Sequence, residues 1–246
     1  PDARFHYRFS EFIPDFAGSG LAIDALCSLE TYQNAKHVFV TPDNSLIELR
    51  RRLLQAGVSL VVSSYNMASG FYLLRPGAVP NGHELYGAWP DGLAHFGEPL
   101  DLKALSALGR FDFVATGASA VATSGVRFGR GHGFFDLEWR IFSDMGLVNN
   151  HTPLATVVHD LQVLDKKLYP SPDDVLVDWI CTPHIERATR HPSTARRAVE
   201  GHLARANPGE PGTGRTAPHG GSGLRPHAAQ SRSPFSISNL QPKDSP

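Results

Sequence analysis

Between residues 36 and 182 the chain repeats one pattern, in which short apolar runs are separated by stretches of helical period. Residues 36–42 (KHVFVTP) predict a strand, 46–57 (LIELRRRLLQAG) a helix closed by Gly57, and 58–64 (VSLVVSS) the next strand. The series continues with a strand at 70–76 (GFYLLRP), a short helix at 101–109 (DLKALSALG) and a strong strand at 111–119 (FDFVATGAS). Residues 134–146 (FFDLEWRIFSDMG) form a helix stopped by Gly146, and two more strands, 153–160 and 176–184, end abruptly in polar residues. Strands this continuously apolar must be covered on both faces. The pattern therefore predicts an α/β fold of three layers, α/β/α, around a mostly parallel, Rossmann-like sheet. Ligands in such folds gather beyond the carboxyl ends of the strands, which makes residues 116–119, 159–162 and 182–184 the borders of one candidate crevice.

Leu46, Leu49, Leu53 and Ala56 share one face of the 46–57 helix, which leaves Arg50, Arg51 and Arg52 as a solvated basic run. The long Gly- and Pro-containing passage 81–99 is either a functional lid or an aromatic cover for the sheet edge. Composition breaks near residue 202, beyond which Gly, Pro, Ser, His and Ala dominate without a periodic apolar face. Such a segment cannot bury enough surface to offset its ordering entropy. The expected organisation is one α/β domain over residues 1–201 and a disordered tail over 202–246.

With 23 basic and 24 acidic residues the chain has no global field for nucleic acid or an acidic membrane, and neither is an expected partner. No apolar run approaches a membrane span, and the first residues carry no signal-peptide pattern. Cys27 and Cys181 are too far apart in sequence for a CxxC site, so a reducing, cytoplasmic setting is expected. The sequence begins at Pro1 and leaves room for an upstream segment.

Chemistry concentrates in residues 125–136, GVRFGRGHGFFD. Gly129, Gly131 and Gly133 alternate with Arg130 and His132, so tight turns can present backbone N–H groups and a fixed cation to an anion such as phosphate. No GKS or GKT follows, the glycine spacing is not that of a dinucleotide fingerprint, and no clear strand runs into the loop. Asp136, in the first helical turn, either holds a magnesium ion bridging nucleotide phosphates or complements the helix dipole. Phe134 and Phe135 adjoin the loop as a candidate wall for a flat heterocycle, while the rest of their helix reads as core. His159, at a strand end beside Asp160, is a candidate for substrate binding or simply a hydrogen-bonded strand-end histidine. No GxSxG, HExxH or HxxxH arrangement is present.

The segment GVRFGRGHGFFD, led by FDFVATGASAVATSG and followed by TPLATVVHDLQVLD and VLVDWICTP, resembles the 5-formyltetrahydrofolate cyclo-ligase (methenyltetrahydrofolate synthetase) family. Its IPDFAGSGLA and MGLVNNHTPLATVVHD segments resemble the methenyltetrahydrofolate synthase domain-containing branch. The resemblance implies a ligase of folate and one-carbon metabolism that binds ATP and Mg²⁺ and converts 5-formyltetrahydrofolate to 5,10-methenyltetrahydrofolate. ATP phosphorylates the formyl oxygen, the neighbouring nitrogen attacks, and phosphate leaves. It also implies that Gly129, Gly131 and Gly133 cradle phosphate, that Arg130 stabilises its charge and that Asp136 helps hold magnesium. Phe134 and Phe135 stand where the family usually has tyrosines, and Leu137 where it usually has an arginine. The family's substrate-binding glutamate after the first strand is replaced by VTPDNSLIELRRRL, in which Glu48 belongs to the helix. These departures keep open a noncatalytic nucleotide- or folate-binding module and, behind it, an RNA-associated adaptor. Deletion of residues 202–246 is expected to leave the thermal unfolding midpoint almost unchanged, and a large drop would show that the segment docks on the domain.

Overall fold

A computed structural model describes residues 11–189 apart from 132, 167, 172, 173 and 185, so the predicted tail and His132 lie outside the described residues. Every apolar run named above becomes a strand, at β1 (His37–Val40), β2 (Ser59–Ser63), β3 (Phe71–Leu74), β5 (Phe113–Gly117), β8 (Leu154–Val157) and β10 (Trp179–Cys181). Shorter strands join them, namely β4 (Glu98–Leu100), β6 (Ala120–Ala122), β7 (Arg127–Phe128), β9 (Val163–Leu164) and β11 (Glu186–Ala188). The helices are α1 (Ser19–Ser28), α2 (Glu30–Gln33), α3 (Ile47–Gln55), α4 (Glu84–Gly87), α5 (Pro90–Phe96), α6 (Leu102–Ser106) and α7 (Phe134–Asp144). No helix among the described residues is long and apolar enough to cross a membrane.

The main sheet runs in the order β11-β10-β8-β5-β1-β2-β3-β4. Its centre is parallel, with Val38 of β1 opposite Leu60 of β2 on one side and Phe113 of β5 on the other. Strands β5, β8 and β10 extend the parallel run, whereas β3, β4 and β11 pair antiparallel. The sheet is therefore mixed, with its parallel character confined to five central strands. The physical reason at β3 is a short connection: residues 64–70 reverse the chain, too few for the helical crossover that a parallel neighbour requires. A small second sheet, β7-β6-β9, sits at the glycine loop.

Alternation along each central strand builds two cores. Val38 and Val40 join Leu60, Val62 and Phe113 under α1 and α3, where Ile23, Leu26, Leu49 and Leu53 are buried. Phe39, Val61 and Val114 point to the other face and meet Phe135 and Phe142 of α7. Phe142 is the hub there, with ring centroids 4.7 Å from Phe39, 5.1 Å from Phe111 and 5.3 Å from Phe71. Gly146 follows α7 at φ 71°, the left-handed stop expected of a C-terminal glycine.

The basic run on α3 departs from expectation. Arg51 and Arg52 pair with Glu48, but Arg50 is 0% exposed and takes backbone carbonyls as partners, so it belongs to the interior. The passage 81–99 contains α4 and α5 in place of an irregular lid. Phe142→Ala is expected to cost about 3–5 kcal/mol in urea unfolding through loss of the ring cluster. An exposed control, Leu21→Ala at 55% exposure, should fall within about 0.5 kcal/mol of wild type.

Candidate functional site

The direction of crossover reverses between β1 and β5. After β1 the chain crosses to β2 on one side, whereas β5 is followed by β8 on the other. The loops leaving β1 and β5 therefore diverge, and a cavity of about 560 Å³ opens between them. Thr41 to Asn44 beyond β1, Ser64 to Met67 beyond β2, Thr116 of β5 and the glycine loop all contribute to its walls.

The loop enters from β7, so a two-residue strand does run directly into Gly129, contrary to the sequence reading. Gly131 and Gly133 have φ of 84° and 65°, which a residue with a Cβ adopts only at a cost, and Gly133 is the N-cap of α7. Gly129, Arg130, Gly131, Gly133, Phe134, Phe135 and Asp136 all line the cavity. His159 does not line it. That side chain accepts the Leu161 N–H at 3.1 Å, packs edge-on against Phe16 and caps the turn at 160–162, while Gln162 reaches the carbonyl of Ala118. Thr182 and His184 are drawn to Asp160, so the 159–162 and 182–184 segments meet each other outside the lining of this cavity.

Arg130 donates to the Tyr65 hydroxyl at 3.0 Å and to Asn66 Oδ1 at 2.8 Å, with its guanidinium 5.4 Å from the Tyr65 ring and 6.0 Å from that of Phe134. Both acceptors are neutral, so they fix the cation without cancelling its charge. The Tyr65 hydroxyl itself donates to the Glu11 carbonyl. Asn66 and Met67 have φ of 53° and 54°, a conformation uncommon in Asn and strained in Met. That backbone is what turns Asn66 toward Arg130.

Three further charged groups were not picked out from the sequence. Asp43, just beyond β1, accepts the Gly117 N–H at 2.9 Å and the Thr41 hydroxyl at 2.5 Å. A Cβ on Gly117 would lie 2.8 Å from that carboxylate, so only glycine permits the contact. Arg127, with a side chain 5% exposed, lies over the Phe135 ring at 4.6 Å and 3.7 Å from Asp136 Oδ1. Glu138 is 2% exposed, lines the cavity, and its Oε2 has no hydrogen-bond partner among the described residues. A glutamate inside an otherwise apolar helix face was the available signal. Glu48, by contrast, faces Arg51 and Arg52 outside this cavity.

Burial raises the pKa of Asp136, opposed chiefly by Arg127, with neighbouring Asp174 adding to the rise. Glu138 is pushed up to about 8, mainly by burial, against smaller opposing effects of Ser63 and Arg127.

Comparison with known proteins decides the family. The model of the 5-formyltetrahydrofolate cyclo-ligase family matches residues 12–183. The chain belongs to the 5-formyltetrahydrofolate cyclo-ligase family. It is 32% identical over 181 residues to the human methenyltetrahydrofolate synthase domain-containing protein and 30% identical over 181 residues to the mouse one. Those alignments cover 72% of this chain and 45% and 47% of the relatives, so the chain spans a little under half their length. An NMR structure of 5,10-methenyltetrahydrofolate synthetase from Aquifex aeolicus is similar at 22% identity and a TM-score of 0.46, over 71% of this chain and 82% of that one.

Glu138 supplies a pH test. A folded-state pKa above the unfolded value means that the native protein holds a proton the unfolded chain has released, so stability falls as pH rises from about 4.5 to about 8. Glu138→Gln, a neutral mimic, is expected to be more stable than wild type at pH 8, by a few kcal/mol, with the gap closing toward pH 5. Urea unfolding at pH 5, 6, 7 and 8 checks this, and parallel profiles would refute it.

Proposed function

We propose that the cavity carries out an ATP-dependent, cyclo-ligase-type ring closure of 5-formyltetrahydrofolate, or of a related formylated compound, to the 5,10-methenyl form. The observation that supports this reading most is the placing of Arg130 at the glycine loop, held by neutral partners, in the same cavity as Asp43 and the aromatic side chains. A volume of about 560 Å³ suits a nucleotide-sized or folate-sized ligand.

Each residue then has a role set by its surroundings. The N–H groups of the glycine loop and the Arg130 guanidinium bind phosphate and stabilise the charge that builds up during phosphoryl transfer. Asp43, oriented by two donors, accepts from N–H groups of the substrate, in the position after the first strand where the family carries its glutamate. Phe134 and Phe135 supply flat surface without the hydroxyls of tyrosine. Asp136 fits one magnesium ion, a hard cation suited to carboxylate oxygen, with Asp174 close enough to affect its titration. The described residues contain no group of three or more acidic, His or Cys side chains around one point, so nucleotide phosphates would complete the coordination. Bound there, the ion would neutralise phosphate charge.

Leu137 favours the alternative, a noncatalytic binding module, because it is 42% exposed, does not line the cavity and offers no cation. The appearance of methenyltetrahydrofolate absorbance with Mg-ATP separates the two. Wild type is expected to form product, and Arg130→Ala to lower kcat about 100-fold with a smaller effect on KM. Leu137→Arg is expected to fold normally, since that side chain faces solvent, and to raise turnover if the missing cation limits it. Folded wild type that binds Mg-ATP or 5-formyltetrahydrofolate yet forms no product would establish the noncatalytic module.

A further inference from the structure

Arg50 is the largest of the fully buried side chains, and its guanidinium spans two segments that both reach the cavity. Nε donates to the carbonyl of Ala88 at 2.8 Å, while Nη1 donates to the carbonyls of Thr41 at 2.7 Å and Asp43 at 3.0 Å. Ala88 ends α4 and is followed by Trp89, which opens α5. Thr41 and Asp43 are the residues whose side chains meet at the Asp43 carboxylate. A single cation thus joins the α4–α5 strap to the loop that follows β1.

The strap is closely packed where it meets Arg50. Gly92 of α5 passes so close to α4 that a Cβ there would lie 1.8 Å from the Tyr86 carbonyl oxygen. The backbone N–H of Leu93 also returns to the Trp89 carbonyl at 2.8 Å. Fixing Ala88 therefore fixes Trp89. That indole is 38% exposed and lines the main cavity together with an adjoining one of about 620 Å³ bordered by Asn44 and Leu85. A large flat side chain left partly open to a cavity that also holds phosphate-binding groups suits a planar heterocycle.

We propose that Arg50 is the positioning residue of this site, holding Trp89 as the stacking surface for a planar heterocycle while it sets the loop that carries Asp43. The ligand chemistry is a flat, nitrogen-rich ring, which either the purine of ATP or the pterin of a reduced folate supplies. The stacking role rests on the proposed function, whereas the coupling of Arg50 to the strap does not. A guanidinium can reach acceptors on separate segments through separate nitrogens, but the single ammonium of lysine cannot.

The test uses the full chain with Trp139 and Trp179 replaced by Phe, leaving Trp89 as the only one of the three tryptophans. In this background Arg50→Lys is expected to stay folded by circular dichroism and to raise acrylamide quenching of Trp89 about twofold without any ligand, as the strap loosens. Affinity for whichever of Mg-ATP and 5-formyltetrahydrofolate changes Trp89 emission in the parent should fall about tenfold. A response to ATP alone assigns the purine, and a response to the folate alone assigns the pterin. If Arg50→Lys does not fold, Trp89→Ala in wild type decides by calorimetry, with an about tenfold loss of affinity for one of the two probes expected. Unchanged quenching in folded Arg50→Lys overturns the positioning role, and unchanged affinities in Trp89→Ala overturn the stacking role. If neither probe binds the parent, the proposed function and the stacking fail together, while the ligand-free quenching still decides Arg50.

Discussion

The contact on which the site depends is the hydrogen bond from the Gly117 N–H to the Asp43 carboxylate. It forms where β1 and β5 end side by side, paired in parallel through Val40 and Ala115. Parallel pairing brings both strand ends to the same edge, and the reversal of crossover direction pulls the following segments apart there. A carboxylate in that gap would be costly if it were bare. Backbone N–H and Thr41 hydroxyl donors stabilise it, and the absence of a Cβ on Gly117 gives it room.

Around this contact the protein places several ionisable groups in its interior. Arg50 donates to peptide carbonyls through Nε and Nη1, Arg127 lies against an aromatic ring near Asp136, and Glu138 has its pKa raised by burial. Low local polarity strengthens every interaction among these groups and penalises any left unmet. The two arginines serve differently. Arg50 sits behind the cavity wall and joins backbone segments, whereas Arg130 stands at the cavity with neutral oxygen partners.

Much of this architecture was legible in the sequence because the local signals agreed with one another. The runs at β1, β2, β5 and β8 are apolar on both faces, and Gly57 and Gly146 mark helix ends with φ of 64° and 71°. The glycine loop was readable as well, since its residues are neighbours in sequence. Asp43, Tyr65, Asn66 and Trp89 were not, because they approach Arg130 or the cavity only through the sheet topology. Helical period placed Arg50 off the apolar face of α3, and its partners, the carbonyls of Ala88, Thr41 and Asp43, come from segments that only the tertiary fold brings to it. Helix α1 went unassigned, although Ala22, Ile23 and Leu26 carry its buried face. His159 stands at a strand end as expected, but the ring turns toward Phe16.

At one side the main sheet ends in β4, three residues long, with Pro99 opposite Tyr72 of β3. Proline has no N–H, so the outward rim of this strand offers a visiting strand a broken ladder. Beside it, Glu98 is exposed and paired with Arg75. A layer of eight strands is a large template for sheet-to-sheet association, and on this flank a single imino acid beside a charge blunts that template.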